Sequence, residues 1–215
     1  MKKTFLKCTI TAVAAFLLFS VAPSSAFADH IVDITVNTSG LGTGSSEVLF
    51  FLTGTGTNRA TLSGFSLGGG TAGAVDLGNV SGSGTGASNG LNTGVSLDDG
   101  AAFLNGFAQY FTAGTELAFV LDLTTNAVLP NPDQFSFAIL DPTGNPVATS
   151  DPTGFDNLLT INIDSASPAP NVYSNLITVT TPVVTPEPSS ILLLAGGFVG
   201  LATSKWRISS RQRRA

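Results

Sequence analysis

The stretch LAFVLDLTTNAVLPNPDQFSFAIL, residues 117–140, indicates the fold most clearly. Apolar side chains occupy every second position at both of its ends, and a loop rich in Pro and Asn lies between them. Successive side chains of a β-strand point to opposite faces, so this alternation gives each end one apolar face. The stretch therefore predicts two strands that pair antiparallel and share an aromatic inner face. The predicted inward residues are Leu117, Phe119, Leu121, Leu123, Phe135, Phe137 and Ile139.

Similar patterns recur on either side of that stretch. Residues 31–36 alternate in the same way, and the continuous apolar run 48–52 predicts a strand covered on both faces. The run 62–67 changes phase at Ser63-Gly64, which is typical of a β-bulge. Residues 159–163 repeat the alternation, residues 176–180 offer a last strand, and weaker strand patterns occupy residues 74–77 and 95–97. About nine or ten short strands separated by turn residues predict an all-β fold, a β-sandwich of jelly-roll-like type.

Residues 103–111 allow two interpretations. Phenylalanines at the first, fifth and ninth positions have the spacing of one helix face. Alternatively, Asn105-Gly106 forms a hairpin turn, and the following residues form a strand with Phe107, Gln109 and Phe111 on one face. The strand is favoured because good helix formers are scarce nearby.

The N-terminal residues 1–28 have the pattern of a signal-peptide helix. Three lysines precede an apolar run, residues 8–21, which is shorter than the ~20 residues that a membrane-spanning helix needs. Ala26 and Ala28 are the small residues that signal peptidase recognises, so we predict cleavage after Ala28. Cys8, the single cysteine, lies in this segment. The processed chain is therefore expected to have no disulfide, thiol nucleophile or cysteine-bound metal.

The charges of the chain are distributed unevenly. All fourteen acidic residues lie between Asp29 and Glu187, whereas Arg59 is the only Lys or Arg from residue 29 to residue 204. Nucleic-acid binding depends on Lys and Arg that neutralise phosphates, so we expect no nucleic-acid partner. An acidic surface suits a soluble exported protein and attracts divalent cations or cationic polymers.

The C-terminal end contains a short apolar segment between polar flanks. A Pro-rich linker, residues 182–190, is followed by the apolar residues 191–204 and a basic tail, residues 205–215. With its flanking serines the apolar segment reaches roughly 24 Å as a helix, less than the ~30 Å hydrocarbon thickness. We therefore predict a short transmembrane helix that serves as a temporary tether, with the basic tail in the cytoplasm. The basic cluster consists of Lys205, Arg207, Arg211, Arg213 and Arg214.

The linker contains Pro186-Glu187-Pro188, in which two prolines keep the backbone extended beside the membrane. This tripeptide, the short span and the terminal arginines, in that order, resemble the PEP-CTERM sorting signal of exported proteins of Gram-negative bacteria. The resemblance implies that exosortase, a multi-pass membrane transpeptidase, recognises Pro186, Glu187 and Pro188. Residues 29–181 resemble small secreted PEP-CTERM proteins, which implies association with exopolysaccharide or a biofilm matrix. A plain C-terminal membrane anchor is the alternative.

Two patterns of possible catalytic chemistry are incomplete. Residues 64–68 match the Gly-x-Ser-x-Gly nucleophile pattern, but the only histidine is His30, and no helix pattern follows the motif. Asp98-Asp99 are neighbours, and neighbours along a strand point to opposite faces, so they predict a pair of loop acids. We expect no catalytic residue, no cofactor and no enzymatic activity.

Three kinds of ligand suit the sandwich predicted for residues 29–181. Calcium prefers oxygen ligands, and three aspartates lie in loops rich in carbonyl groups, although no EF-hand spacing is present. Carbohydrate binds flat aromatic rings and amides on an open sheet face. Threonines that alternate with glycines suit an ice-binding array. The candidates are Asp141, Asp151 and Asp156 for calcium, Tyr110, Gln109 and Tyr173 for carbohydrate, and Thr53, Thr55 and Thr57 for ice.

Taken together, the patterns predict a structural or matrix-associated surface protein. The alternative is a carbohydrate-binding module in the same location. The expected partners are signal peptidase, exosortase, exopolysaccharide and, before processing, the membrane. The expected route is an inner-membrane-tethered precursor that is delivered to the periplasm, the outer surface or the extracellular matrix.

Overall fold

The computed structural model of the chain describes residues 29–86, 90–126 and 130–181. The predicted signal peptide with its cleavage site at Ala28 lies outside the described residues, as do the Pro-Glu-Pro tripeptide, the apolar segment and the basic cluster of residues 182–215. Within the described ranges, no helix is long and apolar enough to cross a membrane.

The described residues form eleven β-strands and two short helical segments, which confirms the all-β prediction. A 3₁₀ turn spans Gly82–Gly86, and a one-turn helix, α1, spans Gly90–Thr93. The strands are β1 (Asp29–Asn37), β2 (Ser45–Thr53), β3 (Arg59–Ser66), β4 (Thr71–Val75), β5 (Val95–Asp98), β6 (Leu104–Thr112), β7 (Glu116–Thr124), β8 (Asp133–Leu140), β9 (Leu159–Ile163), β10 (Pro170–Val172) and β11 (Ile177–Thr180).

These strands form two antiparallel sheets. The five-stranded sheet, here sheet A, has the order β11-β1-β7-β3-β5, and the six-stranded sheet, sheet B, has the order β10-β9-β8-β2-β6-β4. From β1 to β8 each strand lies in the sheet opposite to the strand before it. The apolar faces of both sheets contribute to one core, so the sheets pack face to face.

The prediction that the two strands of residues 117–140 pair with each other is wrong. β7 pairs with β1 and β3 in sheet A, whereas β8 pairs with β2 and β9 in sheet B. Their apolar faces meet across the core instead, with the rings of Phe119 and Phe137 edge to face at 5.3 Å. An alternating pattern specifies which face of a strand is buried, and both arrangements bury that face.

An aromatic cluster lies at the centre of the core. The ring of Phe50 is 5.3 Å from that of Phe119 in sheet A and 5.3 Å from that of Phe137 in sheet B. Phe65 and Phe135 extend the cluster, with centroids 6.0 Å and 6.5 Å from that of Phe50. Offset and edge-to-face aromatic pairs add about 0.5–1.5 kcal/mol beyond the burial of their area.

Two local predictions are confirmed by the strand register. The residues favoured as a strand form β6, although Asn105-Gly106 lies within that strand and not in a hairpin turn. The register between β3 and β7 shifts between Ser63 and Ser66, as expected for a bulge. Gly64 has a φ of 65°, a left-handed conformation that glycine adopts without strain.

The outer face of sheet B, opposite the core, is partly apolar. Leu49, Ala108 and Ala138 are buried there, and Phe51 and Leu140 pack against them. β2 is thus covered on both faces, as its continuous apolar run predicts. A partly apolar sheet face of this kind is typical of a surface that contacts another molecule.

Candidate functional site

Tyr110 is the aromatic side chain of β6 that reaches the outer face of sheet B. Its neighbours Gln109 and Phe111 point into the core, so Tyr110 points outward, where it is 37% exposed. Glu47 of β2 is its register partner. Side chains directly opposite each other on adjacent strands have Cβ atoms about 4.5–5.5 Å apart, so the phenol and the carboxyl lie side by side.

The segment after β4 adds two polar side chains to this place. Asp76 accepts hydrogen bonds through Oδ2 from the Tyr110 hydroxyl at 3.4 Å and from Nδ2 of Asn79 at 2.8 Å. The same Asn79 nitrogen lies 3.4 Å from Oε1 of Glu47. The backbone N–H of Asp76 donates to the carbonyl of Ala108, which fixes the segment to β6. Glu47, Asp76, Asn79 and Tyr110 are called the outer-face cluster below.

The electrostatics of the outer-face cluster shift the pKa values of its two carboxyl groups in opposite directions. Burial, followed by the nearby Asp76 carboxyl, raises the pKa of Glu47. The backbone N–H of Gly78 holds the pKa of Asp76 below its ordinary value. The charges of Glu47 and Asp76 raise the pKa of the Tyr110 phenol, so its hydroxyl stays protonated and donates. The cluster thus presents an aromatic ring beside a strong hydrogen-bond acceptor.

Similarity assigns no role to this cluster. No family model, no curated protein and no solved structure matches the chain.

The other two predicted carbohydrate residues lie elsewhere. Gln109 faces the core, where its Nε2 donates to the carbonyl of Gly73 at 2.8 Å and its Oε1 accepts from the N–H of Leu91 at 3.0 Å. The prediction of an open amide at Gln109 is therefore wrong. The Tyr173 hydroxyl is 3.2 Å from Oγ1 of Thr160 on β9. Thr160 and Tyr110 are three strands and four residues of register apart, about 20 Å at ~4.8 Å per strand and ~3.3 Å per residue.

A surface depression away from the outer-face cluster offers hydroxyl and amide groups without an aromatic ring. It has a volume of about 500 Å³ and lies on sheet A, where Thr35, Glu116 and Asn175 are among its lining residues. An aromatic ring provides rigid apolar contact area that hydroxyls do not supply. The outer-face cluster is therefore the better candidate for a sugar ring.

The carboxylates of the calcium candidates Asp141 and Asp151 accept hydrogen bonds from their own loops. Oδ1 of Asp141 accepts from the N–H of Thr143 at 2.8 Å and from its hydroxyl, which holds the pKa of Asp141 below its ordinary value. Asp151 accepts in the same way from Thr153. Asp156 has a φ of 53°. In the described part of the chain, no three His, Cys, Asp or Glu residues form a group that could hold a metal ion.

The predicted threonine array is not a regular surface, because β2 ends at Thr53 and the next residues form a loop. Thr55 donates its backbone N–H to Oδ1 of Asp133 at 3.2 Å. The hydroxyl of Thr57 accepts from Nδ2 of Asn126 at 2.8 Å. These residues thus close one end of the sandwich and do not line a flat face.

The Gly-x-Ser-x-Gly motif does not form a nucleophile elbow. Its first glycine lies in the bulge of β3, and its serine, Ser66, is the last residue of that strand and pairs with Ala118. A turn to β4 follows, where an elbow has a helix. His30 points into the core, and burial lowers its pKa.

Asp98 and Asp99 point in different directions, as expected for neighbours at a strand end. Asp98 forms an ion pair with Arg59 at the surface, with 2.9 Å between Oδ2 and Nη2. Asp99 is buried, and its carboxyl lies beside that of Asp133. The sequence patterns assign no role to Asp133. Glu47, Asp76 and Asn79 are also missed by the patterns, because no local spacing connects them to Tyr110.

Proposed function

We propose that the protein is an exported surface or matrix protein whose sandwich binds extracellular polysaccharide through the outer-face cluster. The observation that carries this proposal is the exposed ring of Tyr110 beside the Asp76 carboxylate. A flat ring packs against the C–H face of a sugar, and an ionised carboxylate accepts hydrogen bonds from sugar hydroxyls. The neighbouring half-buried side chains of Phe51 and Leu140 provide further apolar contact area on the same face.

The charge of the sandwich restricts the class of polysaccharide. Arg59 is the only Lys or Arg among the described residues, and its guanidinium is paired with Asp98. Binding of anionic polymers depends on cationic side chains, so a polysaccharide rich in uronate or sulfate would be repelled. Neutral chains and chains with amino sugars fit the outer-face cluster better.

We infer that the sandwich belongs to the jelly-roll type. The order β1-β7-β3-β5 in one sheet and β2-β6-β4 in the other matches two interleaved Greek keys, and this order supports the inference. The chain has the 3₁₀ turn and α1 between β4 and β5, where an eight-stranded jelly roll has its remaining strand in chain order. β8, β9 and β10 widen sheet B beyond β2, which enlarges its outer face.

The termini are proposed to deliver the protein to this location. Signal peptidase would cut after Ala28, and exosortase would then process the tethered precursor near Pro186-Glu187-Pro188. The basic tail, with Lys205 and Arg207 closest to the membrane, would remain on the cytoplasmic side until processing. The resemblance to PEP-CTERM tails supports this route.

Replacing Tyr110 with Ala is expected to weaken polysaccharide binding at least tenfold, or about 1.4 kcal/mol. The variant loses the ring and the hydroxyl that donates to Asp76. Binding of the purified protein to soluble neutral and amino-sugar polysaccharides can be measured by calorimetry, after a glycan array has selected the ligand. The matched control is Phe155→Ala, which removes an aromatic ring that is 79% exposed in a different loop. Equal binding by the wild type and Tyr110→Ala would contradict the proposed site.

Replacing Glu187 with Ala is expected to leave a full-length precursor in the membrane. The carboxylate is the only charged group of the tripeptide, so it is the feature that an exosortase would recognise electrostatically. Intact mass spectrometry of membrane and secreted fractions from the native host measures the result. Ser190→Ala, just outside the tripeptide, is the control and should be processed normally. Unchanged processing of Glu187→Ala would contradict recognition through this carboxylate, and mature protein that retains its terminal arginines would instead indicate a plain membrane anchor.

A further inference from the structure

Two buried carboxyl groups meet at one end of the sandwich. Asp99 directly follows β5 in sheet A, and Asp133 is the first residue of β8 in sheet B, so this carboxyl pair connects the two sheets. Both residues are 3% exposed. Ionised carboxylates are rarely buried without a partner of opposite charge, because desolvation strongly disfavours the charged form.

The loop of residues 54–58, between β2 and β3, is bound to the carboxyl pair. Oδ1 of Asp99 accepts from the backbone N–H of Asn58 at 2.7 Å, and Oδ2 of Asp133 accepts from Nδ2 of Asn58 at 2.7 Å. Oδ1 of Asp133 accepts from the backbone N–H of Thr55 at 3.2 Å. The backbone N–H of Asp99 in turn donates to the carbonyl of Asn58 at 3.1 Å.

Two glycines let the loop lie directly against the pair. A Cβ atom at Gly54 would collide with the carboxyl group of Asp133. A Cβ atom at Gly56 would lie 2.6 Å from Oδ2 of Asp133 and 3.5 Å from Oδ2 of Asp99. The absence of side chains at these two positions therefore lets the loop stay in direct contact with the carboxyl pair.

One oxygen of the pair lacks a donor. Oδ2 of Asp99 is buried without a hydrogen-bond partner, although the carboxyl of Asp133 is its neighbour. The other charged groups nearby are Asp98 and Arg59, which pair with each other at the surface. The loop contributes only Gly, Thr and Asn side chains, none of which titrates. A proton between the two carboxyls would satisfy the orphan oxygen and remove one buried charge.

We propose that Asp99 and Asp133 share one proton, and that this proton is a pH-sensitive latch that holds the loop of residues 54–58 closed. When the proton is lost to solvent, both groups are carboxylates. Their repulsion separates the end of β5 from the start of β8 and releases Thr55 and Asn58. The latch acts at one end of the sandwich and leaves the aromatic cluster intact.

The electrostatics give the pH window of the latch. Burial, and then the hydrogen bond with Asp133, raises the pKa of Asp99 to about 6. A carboxyl whose pKa is raised in the folded state stabilises the fold at low pH. This contribution is fully present below the pKa of the same group in the unfolded chain, about 4. That contribution is lost as the pH rises through about 6. The loop is thus closed at pH 5 and loosened at pH 7.5.

Hydrogen–deuterium exchange of the full protein at pH 5.0 and pH 7.5, corrected for intrinsic rates, tests the latch. We expect protection of the loop amides to fall roughly tenfold between the two values, while β7 stays protected. In Asp99→Asn, the side-chain amide can donate to Asp133 at both pH values. Protection of the loop amides in this variant should therefore be the same at pH 5.0 and pH 7.5. The neighbouring variant Asp98→Asn should keep the wild-type pH dependence, since Asp98 is outside the pair.

Two results would overturn the proposal. One is an equal pH dependence of loop protection in the wild type and in Asp99→Asn. The other is loop protection in the wild type that stays the same from pH 5.0 to pH 7.5, because loss of the proton would then not loosen the loop. If Asp99→Asn does not fold, infrared spectroscopy of the wild type decides. A protonated-carboxyl band present at pH 5.0 and lost by pH 7.5 is expected, and its absence at pH 5.0 would refute the shared proton.

Discussion

Phe50→Ala is expected to lower the free energy of unfolding by about 4 kcal/mol, since truncating a buried Phe costs about 3–5 kcal/mol. Phe50 is fully buried in β2, and it contacts rings from both sheets. Phe119 and Phe65 approach it from sheet A, and Phe137 lies beside it in sheet B. The cavity would therefore open where the sheets meet, and no single strand could close it by a small shift.

Denaturant unfolding followed by circular dichroism measures this loss, with the slope m compared to exclude a change in the unfolded ensemble. For a domain of this size, about 4 kcal/mol corresponds to a melting temperature lower by roughly 10 °C. Phe155→Ala is the matched control, because its ring is largely exposed. The control should stay within about 0.5 kcal/mol of the wild type. A loss below about 1 kcal/mol for Phe50→Ala would mean that the sheets do not pack through this cluster.

The strands were predictable because their signal is local. An alternation over a few residues specifies a strand and its buried face, as in β1 and β7. Which strands pair is a different question. β7 lies between β1 and β3, and its inward residues are compatible with either sheet, so no pattern within residues 117–140 distinguishes a hairpin from a crossing of the sandwich.

The side of β6 on which Gln109 lies could have been predicted more sharply. Gln109 is two residues from both Phe107 and Phe111, so the alternation that buries these rings also buries the amide. Its partners, the carbonyl of Gly73 and the N–H of Leu91, satisfy both ends of the amide. A buried amide in an apolar alternation is a sign of a structural hydrogen bond more often than of a binding site.

The candidate sites were less predictable, because their residues are distant in the sequence. Glu47, Asp76 and Tyr110 come from three segments that become neighbours only through the pairing of β2 and β4 with β6. Asp99 and Asp133 are brought together by packing of opposite sheets. The sequence predicts an acidic surface, whereas the burial of particular carboxyls follows from the tertiary structure.

The loop of residues 54–58 shows why a sequence pattern does not reveal which residues form a buried site. Its alternation of Gly with Thr suggests a repeating surface, yet the glycines are needed for close approach to Asp133. Asn58, which follows them, has no neighbouring pattern that marks it as important. In the structure it is fully buried and is the side chain through which the loop contacts both Asp133 and residue 126.

Asn58→Ala is expected to lower the free energy of unfolding by about 3 kcal/mol at pH 5, because it leaves several buried polar groups without partners. Nδ2 of Asn58 donates to Oδ2 of Asp133 at 2.7 Å and to the carbonyl of Asn126 at 3.0 Å. Oδ1 accepts from the N–H of Asn126 at 2.7 Å. The variant removes all three bonds, and a methyl group cannot replace any of them.

Urea unfolding at pH 5.0 measures this loss, and Asn145→Ala is the matched control. Asn145 is exposed, and its Nδ2 donates to a single hydroxyl, that of Thr143. Truncating it should cost no more than about 0.5 kcal/mol. An Asn58→Ala protein as stable as the control would mean that the Asn58 side chain does not hold the loop at this end of the sandwich.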